Sequence, residues 1–402
     1  MEKQILILTT THDFLWKFER ENVKILQKMG YTVHFATNMH EPQYLSHADR
    51  IRDLGVLAHH IDIARSPFLF HENQKALRQL TSLIRTHHIQ VMHCHTPVGG
   101  LLGRLAGKIC REQKPVVIYT AHGFHFYKGA PLFNHVFYYP VEKMLARLTD
   151  ILIVINAEDF KIAKRFRLKK GGRIFKIPGV GLDNTVFYPF STQKRAELRQ
   201  KLGVPADVFL LVSVGELNEN KNQMTVLKAL QILKNKTRKP LSLRYFICGD
   251  GFFRPQLETA IDRMGLASVV TLAGWCDPVA DVVGCADAMI FPSRREGLGM
   301  AGLEALAMGV PVIAADNRGT REYMEHGENG FVYRYDDAAG FAKGIETMQN
   351  MDAAAKREMQ KRCCDTVKPF DRIYARAVMR RIYAIAGQKI SENEQKRVVL
   401  ES

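Results

Sequence analysis

Short apolar runs recur along this chain, and amphipathic stretches fill most of the gaps between them. Residues 3–8 end in Ile-Leu-Ile-Leu and are followed by threonines, as in a strand buried inside a parallel sheet. A helix is expected after it, to about Met29, where Gly30 ends it. Further strands are expected at 31–36, 89–94, 116–120 and 151–155, with helices at 73–88 and 98–110. Strands alternating with helices predict an α/β fold built on a doubly wound parallel sheet.

The pattern restarts near Phe209. Strands are expected at 209–215, 243–247, 269–272, 288–291, 311–314 and 330–333, with a helix at 221–234. This predicts a second α/β domain and a cleft between the two. The Gly-, Pro- and Asn-containing segment 178–192 is the expected boundary. An amphipathic helix is expected at 370–387, and the polar residues after it read as a tail. The expected division is 1–185, 186–367, a final helix at 368–388, and 389–402.

A length of 402 residues suits two domains. No run of eighteen apolar residues occurs, so no transmembrane helix is expected. The first apolar run is too short for a secretory signal and reads as a core strand. Seven scattered cysteines without a C-x-x-C pair fit reduced thiols and a cytoplasmic protein. Residues 1–185 carry 26 Lys+Arg against 15 Asp+Glu, so 11 of the 16 net positive charges lie there. The densest run is Lys161, Lys164, Arg165, Arg167, Lys169, Lys170, Arg173 and Lys176. Two readings stay open for it: a solvated helix face, or attraction to an anionic membrane surface. No nucleic-acid-binding motif accompanies the charge, so nucleic acid is not an expected partner.

The most specific chemistry lies in residues 291–314, Phe-Pro-Ser-Arg-Arg-Glu-Gly-Leu-Gly-Met-Ala-Gly-Leu-Glu-Ala-Leu-Ala-Met-Gly-Val-Pro-Val-Ile-Ala. It reads as buried strand, glycine turn, short helix at 302–308 and next buried strand. A loop feeding a helix N-terminus offers free N–H groups and a positive dipole end, which suit a phosphate. Glu296 precedes the helix. Glu304 lies within it among small apolar residues, an unusual place for a charge without a partner.

This stretch resembles the E-x7-E signature of retaining glycosyltransferases of family 4, which have the GT-B fold of two Rossmann-like domains. The resemblance spans roughly residues 3–385. It implies that Glu304 holds the ribose hydroxyls of a nucleotide-sugar and that Glu296 faces the donor sugar. It also implies that backbone amides of Gly297, Leu298, Gly299, Met300 and Ala301 meet the diphosphate and sugar. Residues 214–222 resemble the family's V-G-R-x-x-x-x-K site. Gly215 and Lys221 match it, and Glu216 stands where the family has arginine. Arg294 and Arg295 are the candidate replacements for that cation. Gly249, in Ile-Cys-Gly-Asp-Gly, resembles a strand-end turn passed by the nucleotide.

In the first domain His122 follows a strand, where the family carries a histidine near the reacting sugar. His125 is the rival for that role, and His93 and His95, at the neighbouring strand end, are expected to share the cleft. The family's N-terminal Gly-Gly loop is replaced by Thr9-Thr10-Thr11-His12-Asp13. Phe124 to Tyr139 holds seven aromatics, either core or a surface for a lipid acceptor. The resemblance implies an enzyme moving a sugar, from a UDP-sugar by expectation, to a polyprenyl-diphosphate-linked or other saccharide acceptor. No Asp-x-Asp occurs, so neither metal nor cofactor is expected beyond the nucleotide-sugar itself. A peripheral location on the inner face of the cell membrane follows from such an acceptor. Two other readings stand beside it: a UDP-sugar 2-epimerase on the same fold, and a basic non-enzymatic adaptor at a membrane or on nucleic acid.

Overall fold

Thirteen strands of the described residues fall into two all-parallel sheets, each covered by helices. The computed structural model describes residues 2–40, 51–237 and 240–401. It separates into two compact units, Met1–Val180 with Ile373–Ser402, and Gly181–Arg372.

The first sheet contains β1 (Lys3–Leu8), β2 (Tyr31–Thr37), β3 (Leu57–His60), β4 (Val91–His95), β5 (Val116–Ala121), β6 (Ile151–Val154) and β7 (Arg173–Lys176). Their order is β3-β2-β1-β4-β5-β6-β7. The central strands are buried on both faces, which is why they read as unbroken apolar runs. The sequence pattern misses β3 and β7. Both are edge strands with half-exposed or exposed residues, so neither carries that run.

The second sheet contains β8 (Phe209–Val214), β9 (Leu243–Cys248), β10 (Val270–Gly274), β11 (Ala288–Phe291), β12 (Val312–Ala315) and β13 (Gly330–Tyr333). Their order is β10-β9-β8-β11-β12-β13. The helix after β8 starts at Gln223, two residues later than expected, because Asn222 takes a left-handed conformation at φ +59°.

The expected C-terminal tail is corrected to helix. One helix runs Arg372–Glu401, and Ser402 lies outside the described residues. Polar contacts hold its last turns in the first unit. Lys389 Nζ lies 3.6 Å from Asp150 Oδ1, Gln90 donates to Glu394 at 3.3 Å, and Asn393 donates to the Lys114 carbonyl at 3.4 Å. Such contacts leave no apolar signature in the sequence. Further back, Tyr383 is buried and its hydroxyl lies 2.9 Å from His93 Nδ1.

The basic run from Lys161 to Lys176 does not form one helical face. It spans the helix Ala157–Ala163, a turn and β7. Lys169 is withdrawn from it into an ion pair with Asp150 at 2.7 Å.

Candidate active site

In each sheet the chain reverses its direction of strand addition once, between β1 and β4 and between β8 and β11. Loops leaving the carboxyl ends of such a pair diverge and open a crevice, where open α/β sheets bind ligands. In the second unit Gly215, Lys221, Arg294, Arg295, Glu296, Gly297, Leu298 and Gly299 lie on the loops at this reversal, whereas Gly249 follows β9 and, in the first unit, His122 follows β5.

In the second unit the loop after β8 carries residues 215–222, and the loop after β11 carries 292–299. Backbone and asparagine hydrogen bonds lace them together. Arg294 N–H donates to the Asn220 carbonyl at 2.8 Å, and Asn220 Nδ2 donates to the Arg295 carbonyl at 3.0 Å. Buried Asn222 donates to the Pro292 carbonyl at 3.0 Å. The lacing brings Lys221 Nζ to 2.6 Å from Glu296 Oε1, and both side chains are largely shielded. Lys221 also packs against the backbone of Gly215.

Met300–Ala307 is the helix of the signature, starting two residues earlier than expected. Met300 and Ala301 are therefore its first turn, and their N–H groups have no intrahelical acceptor. Gly299 caps it at φ +84°, and a Cβ there would lie 2.8 Å from the Phe291 ring. Only glycine fits that position. Gly249, at the end of β9, is likewise restricted to glycine, since a Cβ there would meet the Gly215 carbonyl at 2.0 Å.

Glu304 accepts no hydrogen bond among the described residues. Burial alone pushes its carboxyl up to about 7. A desolvated acceptor without a donor is costly, and a ligand bringing hydroxyl donors would offset that cost. Tyr323, buried beside this pair of glutamates, donates to the Gly299 carbonyl at 3.0 Å and fixes the turn.

The candidate cations are placed differently. Glu216 is exposed and accepts from Asn218 at 3.1 Å, so it is turned toward its own loop. Arg294 pairs with Glu219 at 2.6 Å and lies over the Tyr335 ring. Arg295 joins the lacing through its carbonyl. Sequence reasoning passed over Arg318, which is only 5% exposed and donates to the Glu296 carbonyl at 3.3 Å. It also passed over Asn317, which donates to the Ser293 carbonyl at 2.9 Å. The tripeptide Asn-Arg-Gly after β12 is the only trace of them in the sequence.

In the first unit His122 follows β5 and His93 and His95 end β4. Asp159, buried and bonded by Asn156 at 2.9 Å, accepts the Phe124 N–H at 3.1 Å and so anchors the loop carrying His122. His122 Nε2 lies 3.1 Å from His95 Nδ1. Burial pushes His122 down to about 4, so the ring is neutral. His125 instead stacks on Tyr138. The Thr9–Asp13 segment leads into a π-helical turn, Leu15–Glu19, which delivers Glu19 to the same region.

The aromatic segment divides. Phe124 and Phe126 are core, whereas Leu132, Phe133, Val136 and Phe137 are exposed. Exposed Phe68, Leu69 and Phe70 join them, with the Phe68 and Phe137 rings 5.6 Å apart.

Two groups among the described residues have metal-ligand spacing, Glu19 with His93 and His95, and His34 with His59 and His87. In each group one histidine has both ring nitrogens at hydrogen-bond distance from protein partners. His93 spends its two ring nitrogens on Tyr383 and Thr120, at 2.9 and 2.8 Å. His34 spends its two on His59 and Gln4, at 2.9 and 2.8 Å.

Residues 194–364 match the family model "Glycosyl transferases group 1", and residues 4–156 match "Glycosyl transferase 4-like". The chain is 41% identical over 348 residues to "Putative glycosyltransferase EpsD" of Bacillus subtilis (strain 168), covering 87% of this chain and 88% of that protein. It is 27% identical to an Escherichia coli "UDP-Gal:alpha-D-GlcNAc-diphosphoundecaprenol alpha-1,3-galactosyltransferase", over 68% of this chain and 70% of that one. Among solved structures it is similar to a sucrose-phosphate synthase of Thermosynechococcus elongatus, with TM-score 0.76, 19% identity, and 96% and 100% of the two chains covered. It is also similar to Anabaena HepE in complex with UDP and glucose, with TM-score 0.73, 18% identity, and 98% and 100% covered. With matched residues in both units and that degree of identity along most of its length, the chain belongs to the group 1 glycosyltransferases and is a transferase of the GT-B fold.

Proposed function

We propose that the chain is a retaining glycosyltransferase of polysaccharide biosynthesis, using a UDP-sugar donor and a polyprenyl-diphosphate-linked acceptor. The observation that carries this reading is Glu304, a desolvated carboxylate without a donor, one helical stretch away from the Lys221–Glu296 pair. Ribose hydroxyls supply the missing donors. Amides of residues 297–301, Lys221 and a nearby arginine take the diphosphate, and Glu296 takes sugar hydroxyls. A carboxylate already bound to a lysine is a poor nucleophile, so displacement on one face is the favoured route. The bond from C1 to the diphosphate oxygen breaks as the acceptor oxygen bonds C1 from the same side. The acceptor proton leaves with the departing phosphate oxygen, and UDP is released. Charge growing on that leaving group is what Lys221 and the helix amides stabilise. His122 contacts a hydroxyl or phosphate oxygen of donor or acceptor. The proposed reaction uses no metal.

A lipid-linked acceptor implies docking at an anionic membrane on the cytoplasmic side. The exposed apolar group of Phe68, Leu69, Phe70, Leu132, Phe133 and Val136 supports this, as do exposed Lys143 on the adjoining helix and exposed Arg147 at its C-terminal cap. No helix among the described residues is long and apolar enough to cross a membrane. The Escherichia coli relative, named for a diphosphoundecaprenol acceptor, supports the same substrate class.

A thermal-shift screen of UDP-, GDP- and ADP-sugars tests the donor. A ligand at a hundred times its dissociation constant stabilises by about 2.7 kcal/mol. A shift with UDP-sugars alone is expected, and no shift with any nucleotide-sugar would overturn the reading.

A further inference from the structure

Glu19 and His95 form a buried chain that ends on His122. His95 is fully buried and its Nδ1 lies 3.1 Å from His122 Nε2. Its other nitrogen, Nε2, is buried without a hydrogen-bond partner, and the nearest charged group is Glu19 Oε2 at 3.5 Å. Glu19 is itself 2% exposed, and its one hydrogen bond among the described residues is from Asn22 at 2.7 Å. It comes from a π-helical turn, a rare backbone form that is frequent at functional sites. A cavity of about 20 Å³, enough for one water molecule, is lined by Glu19, His93 and His122.

Proton counting restricts what this chain can do. His95 and His122 are both held neutral by burial, so each ring carries one proton. If the His95 proton is on Nδ1, it donates to His122 Nε2. His122 must then carry its own proton on Nδ1, the nitrogen left for a ligand, and bare His95 Nε2 needs a donor from Glu19. If the His95 proton is on Nε2, Glu19 must be an acceptor, and His122 Nδ1 is bare.

We infer that Glu19 and His95 are positioning residues that fix the tautomer of His122, with protonated Glu19 making His122 Nδ1–H a hydrogen-bond donor to a sugar or phosphate oxygen. The choice of ligand atom rests on the function proposed above, whereas the tautomer does not. Burial supports the acid form, since it pushes the Glu19 carboxyl up to about 8. The other groups facing it do not compete for that proton. His93 is neutral and held by Tyr383 and Thr120, and the Tyr383 phenol is pushed up by burial. Glu21, on the next helix, is paired with Arg376 and Lys24. Ionisation of Glu19 above about pH 8 reverses the chain and turns His122 Nδ1 from donor to acceptor.

The test uses the full-length protein labelled with 15N-histidine, with the His122 signals identified by their loss in His122→Asn. At about pH 7, without nucleotide, His122 Nδ1 is expected to show the shift of a protonated ring nitrogen. It should exchange with Nε2 as pH passes about 8 in the wild type, and stay protonated throughout in Glu19→Gln, whose amide N–H donates to His95 Nε2 at any pH. In transfer assays the wild type should lose turnover on the alkaline side, Glu19→Gln should not, and Glu19→Ala should lose about 10- to 100-fold at neutral pH. A bare Nδ1 at pH 7, or a wild-type tautomer that does not change through about pH 8, overturns the inference without any variant having to fold. The spectra are read without donor, so a protein that transfers no sugar can still show the tautomer exchange.

Discussion

Lys221 and Glu296, 75 residues apart in sequence, meet at 2.6 Å across two loops that leave adjacent strands. The pair neutralises two charges at the mouth of the second sheet. In the proposed reaction the lysine also faces a diphosphate. Lys221→Ala should therefore reduce turnover with saturating donor by about 100- to 1000-fold, the usual loss for a preorganised charge stabiliser. Circular dichroism should show a folded protein, since the lacing through Asn220 and Asn222 is untouched. Turnover within a few-fold of wild type would mean the phosphates are held elsewhere.

Glu304→Gln is expected to separate stability from binding. The folded-state value near 7 lies above the ordinary 4.5, so between these values the folded protein keeps a proton that the unfolded chain releases. Stability therefore falls as pH rises through that window, and the full cost is present above about 7. Because Glu304 keeps some exposure, the cost is on the order of 2 kcal/mol. Glutamine removes it. Melting at pH 8 should occur at a higher temperature than wild type, with the difference gone near pH 4.5, while UDP binding weakens at pH 8. Equal melting at both pH values would show the carboxylate is not strained in the free protein.

Glu216 occupies the place of the family's arginine, yet it is exposed and turned to Asn218. Glu216→Arg should change UDP affinity by only about 2-fold, the scale of an ordinary surface substitution. Calorimetric titration measures this. Tightening by tenfold or more would mean Glu216 opposes phosphate binding directly.

Much of this site was legible because its chemistry is local in sequence. Glu296, the glycines and Glu304 sit on one strand-turn-helix unit, and Lys221 sits on the loop after another strand. The central strands were equally legible, since burial on both faces forces apolar runs. What escaped lacks that signature. Strand β7 reads Arg-Ile-Phe-Lys because it lies at an edge, and the last helix is held by polar contacts. Glu19 was invisible because the groups that give it meaning, His95 on β4 and Tyr383 on the C-terminal helix, lie far from it in sequence. The aromatic segment was ambiguous because core residues Phe124 and Phe126 stand only a few positions from exposed Leu132 and Phe133.

The exposed apolar group near Phe70 and Leu132 gives a membrane test. Phe70 is 75% and Leu132 77% exposed, so aspartate at both should leave folding intact. The double variant should float poorly with anionic vesicles and lose transfer to a lipid-linked acceptor, while keeping nucleotide affinity. Unchanged flotation would assign docking to the basic residues or to no membrane surface at all.

The proposed reaction is transfer with retention from a UDP-sugar by the Glu296–Glu304 unit. The most direct measurement is the anomeric configuration of the product, read by proton NMR after reaction of the full-length protein with α-linked UDP-sugars and an undecaprenyl-diphosphate-linked acceptor. An α-linked product, absent with Glu304→Ala, is the predicted result. A β-linked product, or free epimerised donor sugar without any transfer, would rule this reaction out.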